Sequence, residues 1–211
     1  MPPPTRPRKS PRLAKCTSSG KVWPDPPAWQ VTISSLSNKK NQLRSTLRQL
    51  LRNGPLDSGP VCEAARCWLA ARPALRTVAL YAALADEVDL LPLMAWDPGR
   101  RWVFPRICGE DLVFHELRDV AGDLARGACG IREPSPTLPS VPIPAIDAFL
   151  CPGMAFDPNG GRLGRGLGYY DRALASARPD AVKVGICHPI QRVADTFREA
   201  HDVAMDVVIA G

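Results

Sequence analysis

The sequence predicts a single α/β domain: a mixed, mostly parallel sheet with helices on both faces, preceded by a disordered amino-terminal leader. Three observations carry this prediction. Short apolar segments alternate with amphipathic helical ones over residues 38–211, the pattern of a sheet covered on two sides. Gly160, Gly161, Gly164, Gly166 and Gly168 fall within nine residues, at a junction between a strand and a helix. Residues 1–38 hold eight of the 23 prolines and show no helical periodicity.

The leader is assigned to residues 1–37 and the α/β domain to residues 38–211. The leader lacks the apolar core of a secretory signal. It is Arg-rich and acid-poor like a mitochondrial presequence, but Pro2–Pro4, Pro7 and Pro11 argue against the amphipathic helix such a signal forms. A start codon placed upstream of the real start fits equally well. The expected location is cytoplasmic, with mitochondrial targeting by the leader left open.

From Ser37 the character changes. Leu43, Leu47, Leu50 and Leu51 recur at helical spacing with Lys39, Lys40, Arg44 and Arg48 between them, and Asn53-Gly54-Pro55 stops that helix. A second helix is expected over Pro60–Arg72, then strands at Arg76–Leu84, Arg101–Pro105 and Asp111–Leu117. A short helix at Val120–Arg126 and a Pro-rich loop at Glu133–Pro144 follow. Strand Ala145–Met154, helix Tyr169–Arg178, and strands Ala181–Cys187 and Ala204–Ala210 complete the pattern.

The net charge is +6, but the leader's six basic groups and single acid leave 21 basic against 20 acidic residues over 39–211. A nucleic-acid binder carries its basic face on the folded body, so no nucleic-acid partner is expected. No apolar run approaches the ~18 residues of a membrane span, and a soluble protein without a membrane partner is expected. The seven cysteines are odd in number and contain no CxxC pair, which points to separate thiols in a reducing compartment. His115, His188 and His201 show no metal-binding spacing.

The glycine cluster carries the chemistry. Glycines let a ligand approach the main chain, and successive N–H groups form an anion-binding nest. The loop, residues 159–171, runs into the start of a helix, whose unpaired N–H groups also favour an anion. Arg162 and Arg165 supply forked donors suited to phosphate oxygens. Asp171, in the first helical turn, is placed to hold a magnesium ion bridging phosphates. The alternative is a plain surface hairpin with Asp171 offsetting the helix dipole. Walker A does not fit, since no Lys-Ser or Lys-Thr follows the glycines. The dinucleotide fingerprint also fails, because Tyr169 stands where its last glycine belongs.

The run Pro152-Gly153-Met154-Ala155-Phe156-Asp157, followed by Gly161-Arg162-Leu163-Gly164-Arg165-Gly166-Leu167-Gly168-Tyr169-Tyr170-Asp171, closely resembles the signature of the 5-formyltetrahydrofolate cyclo-ligase (5,10-methenyltetrahydrofolate synthetase) family. The likeness extends over residues 39–211. It takes in Lys40-x-x-Leu43-Arg44, Tyr81 through Glu87-Val88-Asp89, Phe104-Pro105-Arg106, Gly130 through Pro134, Gln191, and His201-Asp202-Val203-x-Met205-Asp206.

The resemblance implies an ATP- and Mg2+-dependent ring closure. ATP phosphorylates the oxygen of the N5-formyl group, N10 attacks that carbon, and loss of phosphate yields 5,10-methenyltetrahydrofolate. Phosphoryl transfer needs positioning and charge stabilisation more than a protein nucleophile, in keeping with a sequence that offers no convincing Ser-His or Cys-His pair. By the same resemblance Lys40, Arg162 and Arg165 are catalytic. ATP is held by Lys40, Arg44 and the run Arg162, Leu163, Gly164, Arg165, Gly166, Leu167, Gly168, Tyr169 and Tyr170. The folate, polyglutamylated forms included, meets Tyr81, Ala82, Glu87, Leu112, Tyr169 and Tyr170; Asp171 and Asp202 take the metal. A monomer is expected. Arg165 stands where many members have Tyr, Leu167 replaces a common Gly or Lys, Leu112 a frequent Met, and Phe197 falls near a frequent proline. Two other readings are a non-catalytic relative that binds folate or nucleotide, and a different phosphotransferase on the same scaffold. Joint retention of Lys40, Arg44, Arg162, Asp171 and Asp202 speaks against the first of these.

Overall fold

The computed structural model describes residues 28–52, 56–127 and 130–210. In chain order these form α1 (Ala28–Arg52), α2 (Gly59–Ala70), β1 (Thr77–Ala79), α3 (Pro92–Trp96), β2 (Arg101–Cys108), β3 (Asp111–Leu117) and α4 (Val120–Asp123). There follow β4 (Leu124–Arg126), β5 (Arg132–Pro134), β6 (Ser140–Val141), β7 (Ala148–Cys151), β8 (Ala155–Phe156), β9 (Arg162–Leu163), α5 (Tyr169–Ala175), β10 (Val182–Ile186) and β11 (Val207–Ile209).

Among the described residues the main sheet has seven strands in the order β11-β10-β7-β1-β2-β3-β6. The first five run parallel; β3 returns antiparallel to β2 over a turn at Gly109, and β6 pairs antiparallel to β3. Alternation along each strand builds two cores. Val78, Leu80, Trp102, Phe104, Leu150 and Ile186 face α2 and α3, while Ala79, Val103, Phe149 and Cys151 face α5. The mixed sheet with helices on both faces is as the sequence predicts. No helix among the described residues is long and apolar enough to cross a membrane.

The chain moves from β1 to β2 on one side of the centre, whereas β7, β10 and β11 lie on the other. The carboxyl ends of β1 and β7 therefore flank a topological switch point, where open α/β sheets leave a crevice.

Several elements differ from the sequence expectation. Helix α1 begins at Ala28, directly after the last leader proline, Pro27, so it runs across the boundary expected at residue 37. The rest of the expected leader, residues 1–27, lies outside the described residues. The strand expected at Arg76–Leu84 shortens to Thr77–Ala79, because the chain leaves the sheet after Leu80. The helix expected at Val120–Arg126 divides into α4 and β4, and the Pro-rich stretch carries β5 and β6. Short α3 and the β8–β9 hairpin were not legible, each having too few residues to establish a period.

Candidate active site

The β8–β9 hairpin brings Arg162 onto a strand and not into the loop. The turn between the two strands is organised by Asp157, whose buried carboxylate accepts from Asn159 N–H at 2.8 Å and Gly161 N–H at 3.0 Å. It also accepts from Thr196, through N–H at 3.0 Å and the hydroxyl at 2.6 Å. Burial would raise this carboxyl, but the Thr196, Gly161 and Asn159 donors outweigh it and hold it below the usual range. Gly160, at φ +77°, sits against Met205, whose N–H donates to the Gly160 carbonyl at 2.8 Å; a Cβ there would strike the Met205 carbonyl.

After β9 the chain crosses Gly164–Gly168 and enters α5. Gly166 (φ +103°) and Gly168 (φ +69°) take up left-handed conformations closed to most residues, which answers why glycine recurs here. Helix α5 has only seven residues, so its dipole is a smaller source of anion binding than the side chains around it.

Those side chains surround a cavity of about 720 Å³, within the range of small-molecule sites. Its wall includes Lys40, Arg44 and Arg48 of α1; Glu87 beyond β1; Ile107 and Leu112 of the β2–β3 hairpin; and Pro152 and Gly153 at the end of β7. Every residue from Arg162 to Asp171 is there as well, with Glu199, His201 and Asp202.

Most of the charges are already paired. The Lys40 ammonium, nearly buried, donates to Asp202 at 2.6 Å and Glu199 at 2.7 Å. Burial would lower this lysine's pKa, but bonds to Asp202 and Glu199 outweigh burial and raise it. Arg44 donates to the Gly164 carbonyl at 2.9 Å, pinning the glycine loop to α1. Arg162 donates to Asp171 at 2.8 Å, with its guanidinium 5.4 Å from the centre of the Tyr170 ring. Among the described residues the buried Arg162 Nε has no hydrogen-bond partner. Arg165 turns away from the loop to Asp86 and Glu87. Burial raises the Glu87 pKa, opposed by the Leu84 N–H and by Arg165.

The structure thus gathers Lys40, Arg44, Glu87, Leu112, the run Arg162–Tyr170, Asp171 and Asp202 around one cavity. Tyr81 and Ala82, expected to line it, lie instead in the core beneath; the Tyr81 hydroxyl donates to the Val88 carbonyl at 2.9 Å. A strand residue beside a site can point to either face, and period alone does not say which is wet. Arg48 and Glu199 were missed. Arg48 continues the four-residue spacing of Lys40 and Arg44, a signal present in the sequence, whereas Glu199 carries none.

The oxygen donors suit a hard divalent cation, which takes one or two carboxylates together with phosphate oxygens and water. Ligand atoms of Glu199, His201 and Asp202 lie within 4.8 Å of one another, and Asp171 is a separate acid on the same wall. Among the described residues five cysteines are free thiols. Burial pushes Cys151 and Cys187 up to about 12, which removes them as nucleophiles.

Fold and site together define an open α/β protein with a charged small-molecule cavity at the switch point of its sheet. The sequence model of the 5-formyltetrahydrofolate cyclo-ligase family matches residues 36–211. A 5-formyltetrahydrofolate cyclo-ligase of Mycolicibacterium smegmatis is 33% identical over 180 residues, covering 81% of this chain and 92% of the relative. The solved 5,10-methenyltetrahydrofolate synthetase of Aquifex aeolicus is 30% identical with a TM-score of 0.69, covering 81% of this chain and 89% of that one. The corresponding Mycoplasma pneumoniae structure, 24% identical with a TM-score of 0.66 over 81% and 97%, shares the fold. The chain belongs to the 5-formyltetrahydrofolate cyclo-ligase family, a family of ligases of folate one-carbon metabolism.

Proposed function

We propose that the protein converts 5-formyltetrahydrofolate to 5,10-methenyltetrahydrofolate, with ATP and Mg2+ as co-substrate and cofactor and ADP and phosphate as further products. The observation that carries this reading is the convergence of Lys40, Arg44 and Arg162 with Asp171 and Asp202 on the cavity at the switch point. An amide-like formyl oxygen is a poor leaving group. Transfer of the terminal phosphoryl group of ATP to that oxygen makes it a good one. N10 then attacks the formyl carbon, the C–O bond to phosphate breaks, and N10 gives up its proton.

Such a reaction asks the protein for charge and position. Arg44 and Lys40 face the triphosphate from α1, and the loop N–H groups face it from the opposite side. Arg162, on the same wall, faces the phosphoryl group in transfer. Glu87 meets the pterin or formyl end of the folate, and Leu112 and Tyr169 provide apolar wall. Asp171 and Asp202 hold Mg2+, which when bound neutralises phosphate charge. The protein is proposed to act as a cytoplasmic monomer, on folates that include polyglutamylated forms.

Purified protein supplied with MgATP and 5-formyltetrahydrofolate should develop the absorbance of the methenyl product, in proportion to ADP released. Folded, metal-supplied protein that makes neither product would overturn the reading.

A further inference from the structure

Arg165, the arginine of the glycine loop, points to two acids beyond β1. Its Nη2 lies 2.6 Å from Asp86 Oδ1 and 3.2 Å from Glu87 Oε1, with Nε 3.4 Å from the same Glu87 oxygen. Two adjacent acids thus share one guanidinium, and the tighter bond goes to Asp86. Their roles differ by position: Glu87 is on the cavity wall, whereas Asp86 is not. The second Glu87 oxygen accepts the Leu84 N–H at 3.1 Å, so only the oxygen turned to Arg165 is exchangeable. Among the described residues Asp86 has no side-chain partner besides Arg165.

We propose that Asp86 is a positioning residue that keeps Arg165 paired while Glu87 turns its free oxygen to the folate. This rests on the proposed reading that Glu87 meets the substrate. Were Glu87 the sole partner, a ligand at its carboxylate would have to break the ion pair and leave a half-buried guanidinium uncompensated, which is costly. With Asp86 in place the guanidinium fork keeps its stronger acceptor and gives up the weaker one. The remaining titratable neighbours of Glu87 are Tyr81 and Tyr170, whose phenols burial pushes well above their ordinary value, so neither carries charge in the working range.

The test uses full-length wild type, D86N, D86E, R165A and the D86N/R165A double variant. In D86N the KM for 5-formyltetrahydrofolate should rise tenfold or more, with the KM for MgATP within twofold, and D86E should restore it. Without Asp86's like charge and with Arg165 undivided, Glu87 should titrate lower, moving the acid limb of kcat/KM for the folate to lower pH. Folate affinity by titration calorimetry should be insensitive to D86N once Arg165 is absent, because the two act through one contact. An unmoved folate KM in active, folded D86N, or an equal rise for MgATP, overturns this inference alone. Wild type that does not convert 5-formyltetrahydrofolate overturns the proposed function and this inference with it. If D86N fails to fold, folate affinity in both D86E and R165A within twofold of wild type supports the proposal, because neither variant leaves an unpaired guanidinium; a tenfold loss in D86E sinks it.

Discussion

The Lys40 ammonium lies 2.6 Å from the Asp202 carboxylate, joining the first helix to a loop 162 residues further along the chain. A residue expected to grip phosphate and one expected to hold metal thus neutralise each other across the cavity. Replacing Lys40 with Ala leaves Asp202 and Glu199 facing each other without a cation, and should cost about 3 kcal/mol of stability besides turnover. Adding D202N should recover part of that loss, and a double-mutant cycle in urea measures it. Hydrogen bonds from Lys40 and the Glu199 N–H outweigh burial and hold the Asp202 carboxyl low, while the Lys40 pKa is raised. The pair's contribution should be lost as pH falls through Asp202's depressed value, or rises through Lys40's elevated one.

Asp171→Asn should lower turnover at least about 100-fold, the order expected when a charged group serving the transition state is removed. The amide can still accept from Arg162, so unfolding should shift by only a few degrees. Steady-state rates across a Mg2+ titration read the first effect and calorimetry the second. Turnover near that of wild type would remove Asp171 from the metal assignment.

Asp157 touches nothing in the cavity, yet its carboxylate ties the hairpin turn to Thr196. Asp157→Asn turns an NH2 group toward donors and should destabilise the protein by about 2–3 kcal/mol. The wild type's advantage over the variant should be full above the unfolded carboxylate range and vanish as pH falls through the depressed native value. Urea midpoints over an acidic pH series provide the comparison; a constant difference would contradict the assigned hydrogen bonds.

Gly160→Ala and Gly166→Ala should separate sharply. Both positions have positive φ, but only at Gly160 does the added methyl meet backbone, the Met205 carbonyl. The first should lose about 2–5 kcal/mol, strain and overpacking together, and the second about 1–2 kcal/mol. Thermal unfolding of the two variants side by side checks the order.

Much of this was legible in the sequence because it is written at a period or in a motif. Leu43, Leu47 and Leu51 mark α1, the apolar run at Ala148–Cys151 marks a central strand, and β3 occupies Asp111–Leu117 as predicted. The glycine spacing located the loop and its approach to a ligand. What stayed hidden depends on packing between distant segments. The inward turn of Tyr81, the pairing of Arg165 with Asp86, and the arrival of Glu199 beside Lys40 leave no local pattern, since each joins segments distant in the chain or is set by packing on the core. Arg48 is readable from its spacing, four residues beyond Arg44 on the same helix.

Among the described residues, α1 contributes no side chain to either main core. Its buried Leu47 and Leu51 pack with Met154, Ala155 and Leu163 in a small third cluster on the β8–β9 hairpin. Among the described residues this cluster is far smaller than the two cores of the sheet, and such a unit opens at lower free energy. That unit carries three of the cavity's cations, so a bound polyanion adds its own affinity to the docking of α1. Amide exchange in Lys40–Leu51 should therefore slow with nucleotide while exchange in β7 and β10 stays unchanged. Substrate capture and the last step of folding are, for this helix, one equilibrium.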